Sequence, residues 1–371
     1  MTEIVEHTLR TDRHTTGYLA AGPEDGPMVV FLHGWPELSI SWRHQLPVFG
    51  GLGFRAVAPD MRGYGRSSTY PSADAFTQEH IVADMLELVD HLGVERAVWV
   101  GHDWGAPVVW NLASHHPERC HGVAALCVPY RTVELGLEAL VALVDRRMYP
   151  ADEFPHGQWD YQVVYQDRPA EVAAVFDADP YRTVKALFRK GKPTDLEKPA
   201  ATAMITRWGG WFRGAAVAPD LPRDADVVTE AELRRYAAAL AENGFSGPDA
   251  WYLNHEANAE YAAAAVEGGR LRMPALFLGA RYDATCEVGS SRLAEPQRGY
   301  VDDLTERMLD TGHWMAQERP AEVNAALVAW LRDRLPAVWP AAGALVRVGR
   351  AAELAAGAVV PGGGRWPEDD G

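Results

Sequence analysis

One stretch constrains the fold of this chain more than any other: Val-Trp-Val-Gly-His-Asp-Trp-Gly-Ala at residues 98–106. Its apolar start reads as a buried strand, and Gly101, Gly105 and Ala106 let the backbone turn tightly into a helix. In a Gly-x-Ser-x-Gly elbow, such a turn lifts one side chain over the sheet, and its neighbours must be small because the backbone passes so close. The residue at the tip here is Asp103.

A carboxylate in that position narrows the chemistry. With a reference pKa of about 3.9 it is ionised at neutral pH and needs no base to act as a nucleophile. Attack on an ester or amide would give an anhydride, a worse product than the starting material. Attack on a saturated carbon bearing a leaving group gives a stable alkyl ester that water must then hydrolyse. Epoxides and alkyl halides suit that course.

The rest of the chain supplies the context. Residues 6–21 alternate around Thr11 and Gly17 as a hairpin, and 28–32 is a continuous apolar run of the kind buried on both faces. His33-Gly34-Trp35-Pro36 follows directly. A helix over about 41–50, a strand at 55–59, a helix over 81–92, the elbow with a helix to about His115, and a strand at 122–128 complete a strand–helix rhythm. Such a rhythm with short links builds a parallel sheet covered on both faces. Beyond Val128 it breaks into mostly helical pattern rich in aromatics, then resumes with a strand at 274–278, a last strand at 307–309 and a helix over 320–335. The expected organisation is therefore α/β, a mostly parallel sheet flanked by helices. A core in two parts (1–129 and 271–336) is interrupted by a helical insertion (130–270), and a partly disordered tail follows (337–371).

At 371 residues and 47% apolar the chain can bury a large core. Its formal charge of −16 argues against nucleic acid or an anionic membrane as partner. Cys120, Cys127 and Cys286 are odd in number and lack paired spacing, which points away from a disulfide framework or a zinc site and towards a reducing compartment. The first ten residues carry Glu3 and Glu6 with no apolar run, unlike a signal peptide, and no stretch reaches the ~20 apolar residues of a membrane helix. A cytoplasmic protein needing no metal or cofactor is expected, with a homodimer as the assembly considered.

In parallel α/β sheets the chemistry sits on loops after the strands. Asp103, Asp283, His313 and the Trp35 loop all follow expected strands, in the order nucleophile, acid, histidine. At this point the chain resembles the soluble epoxide hydrolases of the α/β-hydrolase superfamily, over about residues 14–335. The resemblance is carried by His33-Gly34-Trp35-Pro36-Glu37, by residues 60–68, by Gly101-His102-Asp103-Trp104-Gly105 and by Gly312-His313-Trp314. In the insertion it is carried by Trp159-Asp160-Tyr161-Gln162 and by Gly244 through Tyr252. It implies an α/β-hydrolase fold with a helical cap and an ether-bond hydrolase acting on an epoxide. It also implies a pair of cap tyrosines, Tyr161 and Tyr252, that protonate the departing oxygen.

The expected scheme has Asp103 attacking the epoxide to form a hydroxyalkyl ester. His313, oriented by Asp283, then activates the water that hydrolyses it. The backbone N–H groups of Trp35 and Trp104 form the oxyanion hole, with a cis bond implied between Trp35 and Pro36. Trp159, Gln162 and Trp314 line the pocket; Tyr165 and Tyr236 are read as packing. A haloalkane dehalogenase is the nearest alternative, since it shares the Asp nucleophile, although a departing halide needs no phenol to protonate it. A non-catalytic receptor on the same scaffold is the third reading, and it would be expected to lack part of the set.

Overall fold

The computed structural model describes residues 2–340. Eight strands form one sheet: β1 (Val5–Arg10), β2 (Thr15–Ala21), β3 (Met28–Leu32), β4 (Arg55–Pro59), β5 (Ala97–His102), β6 (Cys120–Leu126), β7 (Leu271–Ala280) and β8 (Val301–Leu309). Their order across the sheet is β1-β2-β4-β3-β5-β6-β7-β8. The initial hairpin and the β2–β4 pair are antiparallel, and every later pairing is parallel. Every residue of β3 and β5 is buried, as continuous apolar runs in the middle of a covered parallel sheet should be.

The register is what matters for function. Leu32 pairs with Gly101, His102 with Leu126, Leu126 with Leu278, and Ala280 with Leu309. The chain therefore leaves β3, β5, β7 and β8 along one edge, and residues 33–37, 103, 283 and 313 emerge there together.

Several boundaries depart from the sequence pattern for identifiable reasons. The helix expected over 41–50 is split into a 3-10 turn (Ser39–Trp42) and a short helix (Leu46–Gly51). Pro47 cannot donate inside a longer helix but is favoured in the first turn of a new one. The helix expected from 81 begins at Gln78, capped by the Thr77 side chain, because its polar first turn carries no apolar period. Its Ile81, Val82, Met85, Leu88 and Val89 are buried, each contributing about 1.5–3 kcal/mol. β6 ends at Leu126, two residues before the expected end, where Cys127 turns to φ 68°. β8 runs for nine residues where three were legible, because an edge strand carrying Asp302, Asp303 and Glu306 lacks an apolar signature.

Between β6 and β7 the chain folds into short helices and 3-10 turns lying over the loops of the sheet's carboxyl edge. Buried polar bonds hold it there. The Trp251 indole donates to the Arg62 carbonyl at 3.1 Å, the Trp314 indole to the Leu187 carbonyl at 2.9 Å, and the Tyr236 hydroxyl meets Ser41 Oγ at 2.7 Å. All three cysteines are buried and free. Of the tail expected from 337, Trp339 packs edge-on against Phe54 at 5.5 Å, and residues 341–371 lie outside the described residues. Among the described residues no helix is long and apolar enough to cross a membrane.

Candidate active site

The elbow is built as its small residues require. A Cβ on Gly101 would overlap the Gly105 carbonyl, and one on Gly105 would overlap the Leu32 carbonyl. Between them Asp103 takes φ 50°, a left-handed conformation that costs a non-glycine residue about 1–2 kcal/mol and recurs at functional sites. The helix Gly105–His115 starts immediately after it.

Asp103 stands between two groups. Its Oδ1 accepts the Trp35 backbone N–H at 2.7 Å, from a loop whose Trp35–Pro36 bond is cis. Its Oδ2 lies 3.4 Å from His313 Nε2. The Trp104 N–H is at the N-cap of the following helix, where the local dipole favours negative charge. On its other side His313 Nδ1–H donates to Asp283 Oδ2 at 2.6 Å. Asp283 Oδ1 in turn accepts the backbone N–H groups of Thr285 at 3.0 Å and Cys286 at 2.9 Å. Three donors thus fix the Asp283 carboxylate, and the imidazole is held with Nε2 towards Asp103.

The electrostatics follow from burial and pairing. Burial alone would lower the His313 pKa, but the Asp283 charge and the bonds to Asp103 and Asp283 raise it well above the ordinary histidine value. For Asp283 burial works upward, and the His313 charge and bond with the two backbone donors outweigh it, leaving the carboxyl below its usual range.

Over this group hang the two tyrosines. Tyr161 sits in the first turn of the helix Asp160–Asp167, and Tyr252 ends the turn Ala250–Tyr252. Their ring centroids are 5.7 Å apart and both are buried. Tyr252 is edge-on to Trp104 at 5.1 Å and to Trp35 at 6.0 Å, and it stacks on Tyr165 at 4.2 Å. Burial first, and then nearby charges that include Asp103, push both phenols up, so both keep their protons at neutral pH. Gln162 Nε2 donates to the Tyr161 hydroxyl at 3.2 Å. Trp159 lies 6.5 Å from the Tyr161 ring, and Trp314 lies 4.8 Å from His313.

Two features escaped the sequence reading. Glu37, quoted there without a role, forms a buried ion pair with His102, Oε2 to Nδ1 at 2.7 Å, and His102 Nε2–H donates to the His313 carbonyl at 2.7 Å. Glu37 also accepts from Gly34 N–H and Gln317 Nε2. One pair therefore ties the Trp35 loop, the elbow and the histidine loop together. Despite burial, His102 holds the Glu37 pKa down to about 2, and Glu37 raises that of His102 to about 10. The second feature is Asp249, three residues before Tyr252, whose Oδ1 accepts the Trp35 indole N–H at 2.8 Å while burial pushes its pKa well up. The signals were an acid after His-Gly-Trp-Pro and an acid within an apolar turn; what they meet depends on contacts across 65 and 214 residues.

His102, Cys127 and His313, and likewise Asp283, Cys286 and His313, bring potential metal-ligand atoms within 4.8 Å. Both His102 nitrogens and His313 Nδ1 are already committed to hydrogen bonds, so these groups read as a polar network.

The α/β-hydrolase fold family matches residues 27–320. Epoxide hydrolase A of Mycobacterium tuberculosis is 35% identical over 315 residues, 84% of this chain and 92% of that protein. The bifunctional epoxide hydrolase 2 of Rattus norvegicus is 32% identical over 84% of this chain, which spans about half (52%) of that longer protein. Among solved structures, epoxide hydrolase A of Mycobacterium thermoresistibile superposes with a TM-score of 0.73 at 31% identity, covering 89% of this chain and 99% of its own. An epoxide hydrolase from an endophytic Streptomyces gives 0.72 at 30% identity, covering 89% and 95%.

Proposed function

We propose, from the premise that this chain belongs to the epoxide hydrolases of the α/β-hydrolase fold family, that it opens an epoxide to a vicinal diol through an ester on Asp103. The observation that carries the residue roles is Asp103, bonded to the Trp35 N–H and facing His313, beneath two buried neutral phenols.

The geometry distinguishes the two oxygens of the nucleophile. Oδ1 is held by the Trp35 N–H, so Oδ2 attacks the epoxide carbon as the ring C–O bond breaks. The alkoxide so formed is too basic to leave unaided, and Tyr161 or Tyr252 donates its proton. In the second step His313 Nε2 takes a proton from water, and the water oxygen adds to the ester carbonyl carbon. Oδ1 then carries the negative charge, on the Trp35 N–H and with the Trp104 N–H as second donor. Collapse expels the diol with the former Oδ2, whose oxygen takes the proton from His313; the second water proton, left on the Asp103 carboxyl, is lost as the tyrosinate is reprotonated, which restores the carboxylate and the phenol. A halide would leave without phenols; the tyrosine pair favours the epoxide.

Residues 130–270 serve as the cap that presents these phenols, with Trp159, Gln162 and Trp314 as pocket wall. The three reduced thiols fit a cytoplasmic location, and a homodimer is the assembly considered.

A single turnover in heavy-oxygen water tests the scheme. The first diol should be unlabelled and Asp103 should gain the label; label in the first diol would overturn the covalent route.

A further inference from the structure

A cavity lies outside the catalytic group, in the helical segment between β6 and β7. It has a volume of about 120 Å³ and is lined by Val164, Val172, Val175 and Trp211, with Arg168 and the exposed Glu171 beside it. Among the described residues Trp211 is the one aromatic residue lining it. The indole also packs edge-on against Tyr161 at 5.9 Å and Tyr165 at 6.1 Å, and lies 6.1 Å from Trp35. One ring thus touches the tyrosine group on one side and lines the cavity on another.

How that ring is held is unusual. Its indole N–H is buried without a hydrogen-bond partner among the described residues, so no polar bond from them fixes the ring. The segment carrying it holds Gly209, Gly210 and Gly214 at positive φ and, between them, Phe212 at 52° and Arg213 at 63°. Two consecutive non-glycine residues in the left-handed region are a strained arrangement, kept in place by surrounding contacts such as the Arg213 guanidinium over the Trp208 ring at 4.8 Å.

We propose that Trp211 is a specificity-determining residue: it is the partition that stops the apolar arm of the epoxide at the tyrosine chamber and keeps the Val164–Val172–Val175 cavity out of the substrate site. The occupant that fits this cavity is the end of an alkyl or phenyl arm, because aliphatic side chains dominate its wall and its charged residues Arg168 and Glu171 pair with each other at 3.4 Å. This rests on the epoxide reading.

The test compares kcat/KM for butene oxide and dodecene oxide. Trp211→Ala joins the cavity to the chamber and should raise the dodecene-to-butene ratio at least about tenfold, the scale on which apolar pockets discriminate added methylenes. Val175→Trp, which fills the cavity from another residue of its wall, should cancel that gain when combined with Trp211→Ala. Should Trp211→Ala unfold, as judged by circular dichroism, Trp211→Leu carries the same comparison with less lost packing. A ratio unchanged in the folded variant, or a gain that survives Val175→Trp, overturns the proposal. Failure of the wild-type enzyme to turn over either epoxide would instead refute the reading on which it rests.

Discussion

Replacing Asp283 with Asn should separate the two chemical steps. Asp283 Oδ1 accepts two backbone N–H groups, and Oδ2 accepts His313 Nδ1–H. An Asn side chain has only one acceptor. Turning its NH₂ towards Thr285 and Cys286 strands two buried donors at about 1–3 kcal/mol each, a total of about 2–6 kcal/mol. The carbonyl therefore stays on the backbone donors and the NH₂ faces Nδ1. That reverses the imidazole tautomer, placing a proton on Nε2, where the water proton has to go. At about 1.4 kcal/mol per decade, the competent tautomer falls by about 30-fold to 10⁴-fold. Loss of the carboxylate beside the imidazolium adds to this, since unit charges 2.6 Å apart interact with about 6 kcal/mol at an effective dielectric near 20, before desolvation is subtracted. Ester hydrolysis should slow by roughly 10³–10⁴-fold, whereas attack by Asp103, which uses no base, should change by less than about tenfold. Quenched single-turnover samples read by intact mass should show an adduct of the epoxide's own mass accumulating on Asp103. Equal slowing of both steps, or diol release at the wild-type rate with no adduct, would refute the argument.

Tyr161→Phe and Tyr252→Phe should each slow ester formation by about 10²-fold, and the double variant by more, with adduct hydrolysis nearly unchanged; a defect confined to hydrolysis would contradict the assignment. The rate of ester hydrolysis should rise with pH as His313 loses its proton. The bond to the Asp103 carboxylate is among the causes raising that pKa and is lost on esterification, so the kinetic limb should lie below the His313 titration of the free enzyme followed by NMR. Glu37→Gln should cost about 3–5 kcal/mol in denaturant unfolding near neutral pH, as breaking a buried ion pair does. Glu37 is depressed from 4.5 to about 2, so its share of stability is present above 4.5 and lost as pH falls through 2; His102 is raised from 6.5 to about 10, so its share is present below 6.5 and lost as pH rises through 10. The wild-type advantage over the variant should be largest between 4.5 and 6.5, and an advantage independent of pH would count against the ion pair.

What could be read beforehand follows the range of the interaction. β3 and β5 announce themselves because a strand buried on both faces must be apolar throughout, and the elbow because only small residues fit beside Asp103. Placement of Asp283 and His313 needed only the rule that chemistry follows parallel strands; the structure brings both to the edge where Asp103 stands. The Glu37–His102 pair, Asp249 under the Trp35 indole and the Trp211 partition carried no such signal. Each is a single residue whose meaning lies in a neighbour placed by the fold of the intervening chain, and neither period nor local propensity encodes that neighbour.

The sheet order has a consequence for failure as well as for catalysis. Asp103 follows β5, paired on both sides near the middle of the sheet, whereas His313 follows β8, an edge strand with β7 as its one partner among the described residues. Edges fray before centres. Under the proposed scheme, loosening β8 would leave a protein still able to seize its substrate and unable to let go, so that local unfolding in the presence of epoxide traps the ester. The His102 bond to the His313 carbonyl runs from the last residue of β5 to the loop after β8 and moors the frayable end to the least frayable strand.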